Sequence, residues 1–264
     1  MITAFATRAE RLERLDLSDR HLGDATWIDL SCPTEAEEDA VEAALGIDIP
    51  TREDMQEIEV SSRIYREKGA LFLTAQVVAS HEARDTEIGP VTFVVLPKRL
   101  VTVHYHHPGS MKYFADWAAR HDTPLASGLA ILLAMLEAVV DRLADILEGE
   151  ARRHDVLSTA IFAAHRPSGK AETLPVVLQR IGRAEDLNGK VNESLGTLLR
   201  LVGYLVAASD PSGSPVLAAA EKATAHVLLE DIRSLREVAV VQADKVRFLM
   251  DATLGVINIR QSDV

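Results

Sequence analysis

The chain has 264 residues, 47% of them hydrophobic, enough to bury a sizeable core as one domain or two closely joined ones. Its net charge of −12 argues against a nucleic-acid partner, whose phosphates call for clustered Lys and Arg, and suits a protein that handles cations or simply stays in solution. The single cysteine, Cys32, excludes an internal disulfide and fits a reducing compartment. The first residues, "MITAFATRAERLERL", lack the apolar core of a signal peptide. The most apolar stretch, "GLAILLAMLEAVVD", carries Glu137 and falls short of the roughly 18 residues of a membrane span.

Over the first 120 or so residues, β-like runs at 2–6, 26–30, 70–79, 91–96 and 100–105 alternate with helical segments. "CPTEAEEDAVEAAL" announces a helix, with Thr34 as N-cap, Glu37 completing a capping box, and Glu35 and Glu38 at the positive end of the dipole. "PTREDMQEI" repeats the device with Thr51, Glu53 and Asp54. An α/β head with a mixed sheet and helices on both faces is expected for 1–124. After Pro124 the period changes to 3.6 over 127–164, 173–208 and 214–264, with breaks at the Pro/Gly/Ser-rich "HRPSGKAETLP" and "SDPSGSP". Helices of about 35 residues or more, roughly three times the usual length, predict an up-down-up stalk over 125–264. The class is therefore α+β: a head followed by long antiparallel helices.

The closing "DATLGVINIRQSDV" has no proline, no glycine beyond a helix end and no polar tail. Asp251, Gly255, Asn258 and Ser262 recur on one face of this helix, apart from the apolar positions. Solvated polar stripe and ion-facing stripe are both open on spacing alone.

No Gly-rich nucleotide loop, nucleophile elbow or C-x-x-C pair is present, and nothing demands an enzyme. In "VHYHHP", His104 and His106 share a strand face with His107 opposite; such a pair can hold zinc, against an ordinary exposed strand end. "ASHEARDTEIG" places His81, Glu82, Asp85 and Glu87 between two strands, either a solvated turn or a divalent-cation site. "LLEDIRSL" adds Glu230 and Asp231 beside Arg233 and Arg236, which read first as surface ion pairs. Cys32 is expected to be a small buried apolar residue.

Taken in order, several segments resemble the CorA magnesium and cobalt channels. "GVINIRQSDV" is similar to the "GFINIEQN" that leads into that family's first transmembrane helix, and the likeness extends back through "DKVRFLMDATLG" and "LLEDIRSL". "WIDLSCPTEAEE", "TREDMQEIEVSSRIY" and "AEDLNGKVNESL" resemble further family segments, so that the ordered set covers nearly the whole chain. The family's Gly-Met-Asn triplet would lie beyond residue 264, and the asparagine of "EQN" is Ser262 here.

The resemblance implies the cytoplasmic part of a homopentameric, funnel-like channel at the inner membrane, cut before the first span. Its last helix would line a pore with Asp251, Gly255, Asn258 and Ser262 facing the axis. It also implies Mg2+ as regulatory and transported ion, Co2+ being possible as cargo. Carboxylates of neighbouring subunits would hold the regulatory ion; here these are Glu82, Asp85, Glu230 and Asp231, placed by approximate position, with Val227 where one relative has its sensor carboxylate. Losing the ion leaves like charges to repel, which biases a two-state assembly toward opening. Two alternatives stand beside this: a zinc-transporting branch of the same family, and a stand-alone helical scaffold or adaptor.

Overall fold

A mixed seven-stranded sheet organises the N-terminal half of the computed structural model, which describes residues 1–16, 22–80, 86–123, 125–163, 173–209 and 216–262 (backbone only at Ser80, Ala163 and 259–262). The strands are β1 (Ile2–Arg8), β2 (Arg11–Arg14), β3 (Trp27–Ser31), β4 (Ile64–Glu67), β5 (Ala70–Ser80), β6 (Thr86–Leu96) and β7 (Arg99–His104). Their order is β2-β1-β3-β7-β6-β5-β4. Only β3 and β7 run parallel, with Ile28 opposite Val101; every other pair is antiparallel.

Helices cover both faces. On one, Ile28, Leu30, Phe72, Val94 and Val101 pack against Val41 of α1 (Glu35–Leu45) and Met55 of α2 (Arg52–Gln56). Both helices start with the expected capping boxes: Thr34 with Glu37, and Thr51 with Asp54. α1 ends at Gly46, whose φ of 67° is left-handed and suits glycine. A single-turn α3 (Val60–Arg63) leads into β4.

On the other face, Trp27, Leu73, Val77, Phe93 and Leu100 meet Phe114 of α4 (Gly109–Ala118) and the apolar stripes of α5 (Gly128–Ala163) and α6 (Leu174–Ala207). Phe5 stacks on Trp27, which meets the edge of Phe114. Such aromatic pairs are worth about 0.5–1.5 kcal/mol beyond their buried area.

α6 also closes an edge of the sheet. β4 reaches along β5 only to Leu73, which would leave the backbone of β5 bare beyond that point. There Ser194 Oγ donates to Gln76 O at 2.7 Å, and Gln76 N donates to Thr197 Oγ1 at 2.9 Å.

The three long helices have 36, 34 and 44 residues, the last being α7 (Ala219–Ser262). At about 1.5 Å per residue, α7 spans on the order of 66 Å. α5 and α7 run the same way: Ser127, just ahead of α5, donates to Glu221, Gln242 Nε2 donates to Leu147 O, and Lys245 pairs with Asp155. α6 runs antiparallel to both and packs mainly on α7, with Asn188 Nδ2 donating to Ala239 O at 3.0 Å. A separate apolar cluster, including Leu157, Ile181 and Leu249, joins the three away from the sheet. Among the described residues, no helix is long and apolar enough to cross a membrane.

Candidate functional site

One face of α7 is built to pack and the other is left open. Leu228, Leu229, Ile232, Ala239, Gln242, Val246, Leu249, Thr253 and Val256 recur at three- and four-residue spacing and are buried against α5 and α6. The opposite face carries Asp244, Asp251, Gly255 and Asn258, all exposed. Apolar side chains share it: Val241 is 68% exposed and Phe248 58%. Phe248 lies beside Phe162 of α5, their ring centroids 6.4 Å apart. A Cβ at Gly255 would meet nothing within 4 Å, so the backbone there is open to close approach by a neighbour.

The structure therefore brings Asp251, Gly255 and Asn258 onto one exposed face; Ser262 lies in the same helix, its side chain outside the described residues. No ion pair among the described residues engages Asp251. The stripe also extends further than the predicted four residues. Positions 241, 248 and 255 repeat every seven residues, and so do 244, 251 and 258. That period is the signal that would have found Val241, Asp244 and Phe248.

Glu230 and Asp231 are exposed on α7 as expected, and their surroundings differ. Glu230 is paired with Arg233 one turn on. Asp231 instead acts electrostatically on two carboxylates of α5, Glu137 and Asp141, which Asp145 follows one turn on. Partial burial, then Asp141 and Asp231, push the Glu137 carboxyl above its usual range. Partial burial, then Asp145 and Asp231, do the same to Asp141. A cation beside this cluster would relieve the crowding. Sequence spacing gave Glu137 and Asp141 no role, because their neighbour comes from a different helix. Glu82 and Asp85 lie between the paired strand ends Ser80 and Thr86, outside the described residues.

Two further expectations are corrected. His104 and His106 are not an exposed strand end, and nothing among the described residues joins them into a zinc site. Both are 4% exposed, with ring centroids 6.2 Å apart. The nitrogens of His104 face Asp29 Oδ1 at 3.1 Å and His106 O at 2.5 Å, while His106 Nε2 donates to Val77 O at 2.8 Å. No group of three metal-binding side chains occurs among the described residues. Cys32 is exposed rather than buried. It lies one residue past β3 with a left-handed φ of 44°, its N–H held by His104 O, and this turn carries the side chain off the sheet.

The family model described as "CorA-like Mg2+ transporter protein" matches residues 23–264. The chain belongs to the CorA family. Among its relatives, the magnesium transport protein CorA of Haemophilus influenzae is 26% identical over 264 residues, covering 100% of this chain and 81% of the relative. Among solved structures, the complete CorA magnesium transporter of Methanocaldococcus jannaschii superposes with a TM-score of 0.78 at 16% identity, covering 99% of this chain and 79% of that one. The soluble domain of CorA from the same organism gives 0.75 at 15% identity, with 97% of both chains covered. In this CorA-family chain the open stripe thus belongs to the longest helix, and both the head and the long helices follow the family fold.

Proposed function

We propose that this chain is the cytoplasmic sensing and gating part of a Mg2+ channel, with Co2+ as a further cargo, and that its open α7 stripe lines the cation path in a homopentamer. In this reading 1–124 is the head and 125–264 the stalk that carries movement toward a pore on the inner side of the membrane. The observation that carries it is the uncovered face of α7, where apolar side chains alternate with Asp244, Asp251 and Asn258. Five copies packed on that face would bury the apolar groups and gather the carboxylates and amides into rings. Mg2+ gives up its water reluctantly, so rings that attract the hydrated ion without stripping it suit its passage. Transport of this kind needs no catalytic residue.

Regulation follows from the same electrostatics. Glu82, Asp85, Glu230 and Asp231 form the sensing set, and Asp231 brings Glu137 and Asp141 with it. Mg2+ between neighbouring subunits holds such carboxylates together, and its loss lets them repel and open the assembly. The experiment is Asp251→Asn, read by Mg2+ uptake in cells and by oligomer mass with and without a chelator. Uptake should fall several-fold, and assembly without Mg2+ should become easier as the ring loses its charge. Wild-type behaviour in both measurements removes Asp251 from the path.

A further inference from the structure

A cleft of about 350 Å³ opens between α5 and α6, beside Thr86 and away from the exposed stripe of α7. Its walls run against the charge of the whole molecule. Arg142 and Arg153 of α5 and Arg180 and Arg183 of α6 line it, against the carboxylates of Asp145, Glu150 and Asp186, in a chain of net charge −12. Two of those carboxylates are already engaged: Glu150 with Arg153, and Asp186 with Lys190 at 2.6 Å. Arg142 and Arg183 have no ion-pair partner among the described residues. A guanidinium fork matches the oxygens of a phosphate group, and the match is strongest where the surroundings are partly closed to water.

A second feature points into the same cleft. His154 lines it, is 1% exposed, and neither ring nitrogen has a hydrogen-bond partner. The nearest acid, Glu150 Oε2, is 3.6 Å from Nε2, too far for a hydrogen bond. Burial outweighs Glu150 and holds the His154 pKa below its ordinary value, so at neutral pH the ring offers one N–H and one lone pair. Leaving such a group unsatisfied costs about 1–3 kcal/mol, a cost that a ligand with a polar atom at the floor of the cleft would remove.

We infer that the α5–α6 cleft binds a small soluble molecule bearing two or more linked phosphates. The volume falls in the range of small-molecule sites. The four guanidiniums come from two helices, so linked phosphates can engage more than one of them at once.

The test uses pyrophosphate as probe, titrated calorimetrically into the purified protein at constant ionic strength with a chelator present. Saturable binding of one pyrophosphate per chain is expected, weakened at least tenfold in Arg142→Ala/Arg183→Ala. Both arginines are exposed, so the fold should tolerate their loss. Arg152→Ala is the control: it removes one guanidinium from α5, is 73% exposed, and does not line the cleft. Its affinity should equal that of the parent. Absence of saturable binding, or an equal loss in the control, overturns the proposal. So does binding confined to phosphatidylglycerol vesicles, since it would assign the arginines to a lipid surface.

Discussion

His104 and His106, two residues apart, have their pKa values moved in opposite directions by their surroundings. Both nitrogens of His104 face acceptors, the Asp29 carboxylate and the His106 carbonyl, which only the doubly protonated ring can satisfy. Burial pushes its pKa down, but Asp29 and the His106 carbonyl outweigh burial and the net direction is up. His106 donates from Nε2 to Val77 O and keeps an unpartnered lone pair on Nδ1, and burial moves its pKa down. The stability that His104 contributes is complete below the ordinary value of about 6.5 and fades as pH rises through its elevated folded pKa. That of His106 is complete above about 6.5 and is lost as pH falls through its depressed one. Asp29→Asn removes the anion that holds His104 charged and weakens the bond from Thr102 Oγ1, 2.6 Å from Asp29 Oδ1. It should cost about 2 kcal/mol at pH 6, the scale of a hydrogen bond to a charged group, and less as pH rises through the elevated His104 pKa. Melting curves between pH 5 and 8 check this; an unchanged difference across the range would show that His104 does not titrate against Asp29.

Among the elements, the start of α5 is the tightest joint. A Cβ on Gly128 would overlap the carbonyl oxygens of Arg99 and Leu96, backbone atoms of the β6–β7 turn that cannot move aside. Gly128→Ala should therefore cost more than about 2 kcal/mol, at the upper end for overpacking. Gly182→Ala, exposed within α6 with nothing within 4 Å of its added methyl, should instead gain about 0.5–1 kcal/mol of helix propensity. Urea unfolding of the two variants compares them directly; equal effects would mean that α5 does not dock through this turn. The long helices were legible because each has an apolar stripe many turns long, and α1 and α2 because their caps are written in Thr-x-x-Glu and Thr-x-x-Asp. β2 and β4 were not, because both are four-residue edge strands, "RLER" and "IYRE", with little to bury. The β1–β2 turn adds to this: Ala9 and Glu10 both adopt positive φ, a conformation that Asn-Gly would have announced. α4 has Pro108 at its cap position and no side-chain cap bond, so only Met111, Phe114 and Ala118 betray its buried face. In the candidate site, residues on α7 were legible by spacing, whereas the approach of Glu137 and Asp141 to Asp231 depends on how two helices far apart in sequence come to lie together.

For the whole molecule, the proposed assembly makes cation occupancy and stability one quantity. A ligand that binds only the assembled form raises its melting temperature by mass action. Millimolar Mg2+ should therefore raise the melting temperature of the protein more than the same ionic strength of a monovalent salt. It should also do so less once Asp231 is replaced by Asn, which relieves part of the crowding at Glu137 and Asp141. A shift equal to the salt control would leave only screening.

The central claim is that the open face of α7 meets copies of itself, and cysteine cross-linking tests it most directly. In a Cys32→Ser background, Asp251→Cys places the only thiol of residues 1–264 on the stripe, whereas Arg152→Cys places it at an exposed position of α5. A disulfide forms only when two Cα atoms come within about 7 Å, so it reports close approach of two chains. The account predicts rapid covalent dimers from the Asp251→Cys chain under mild oxidation in the membrane, and few from the Arg152→Cys chain. Equal or slower cross-linking at position 251 would contradict it.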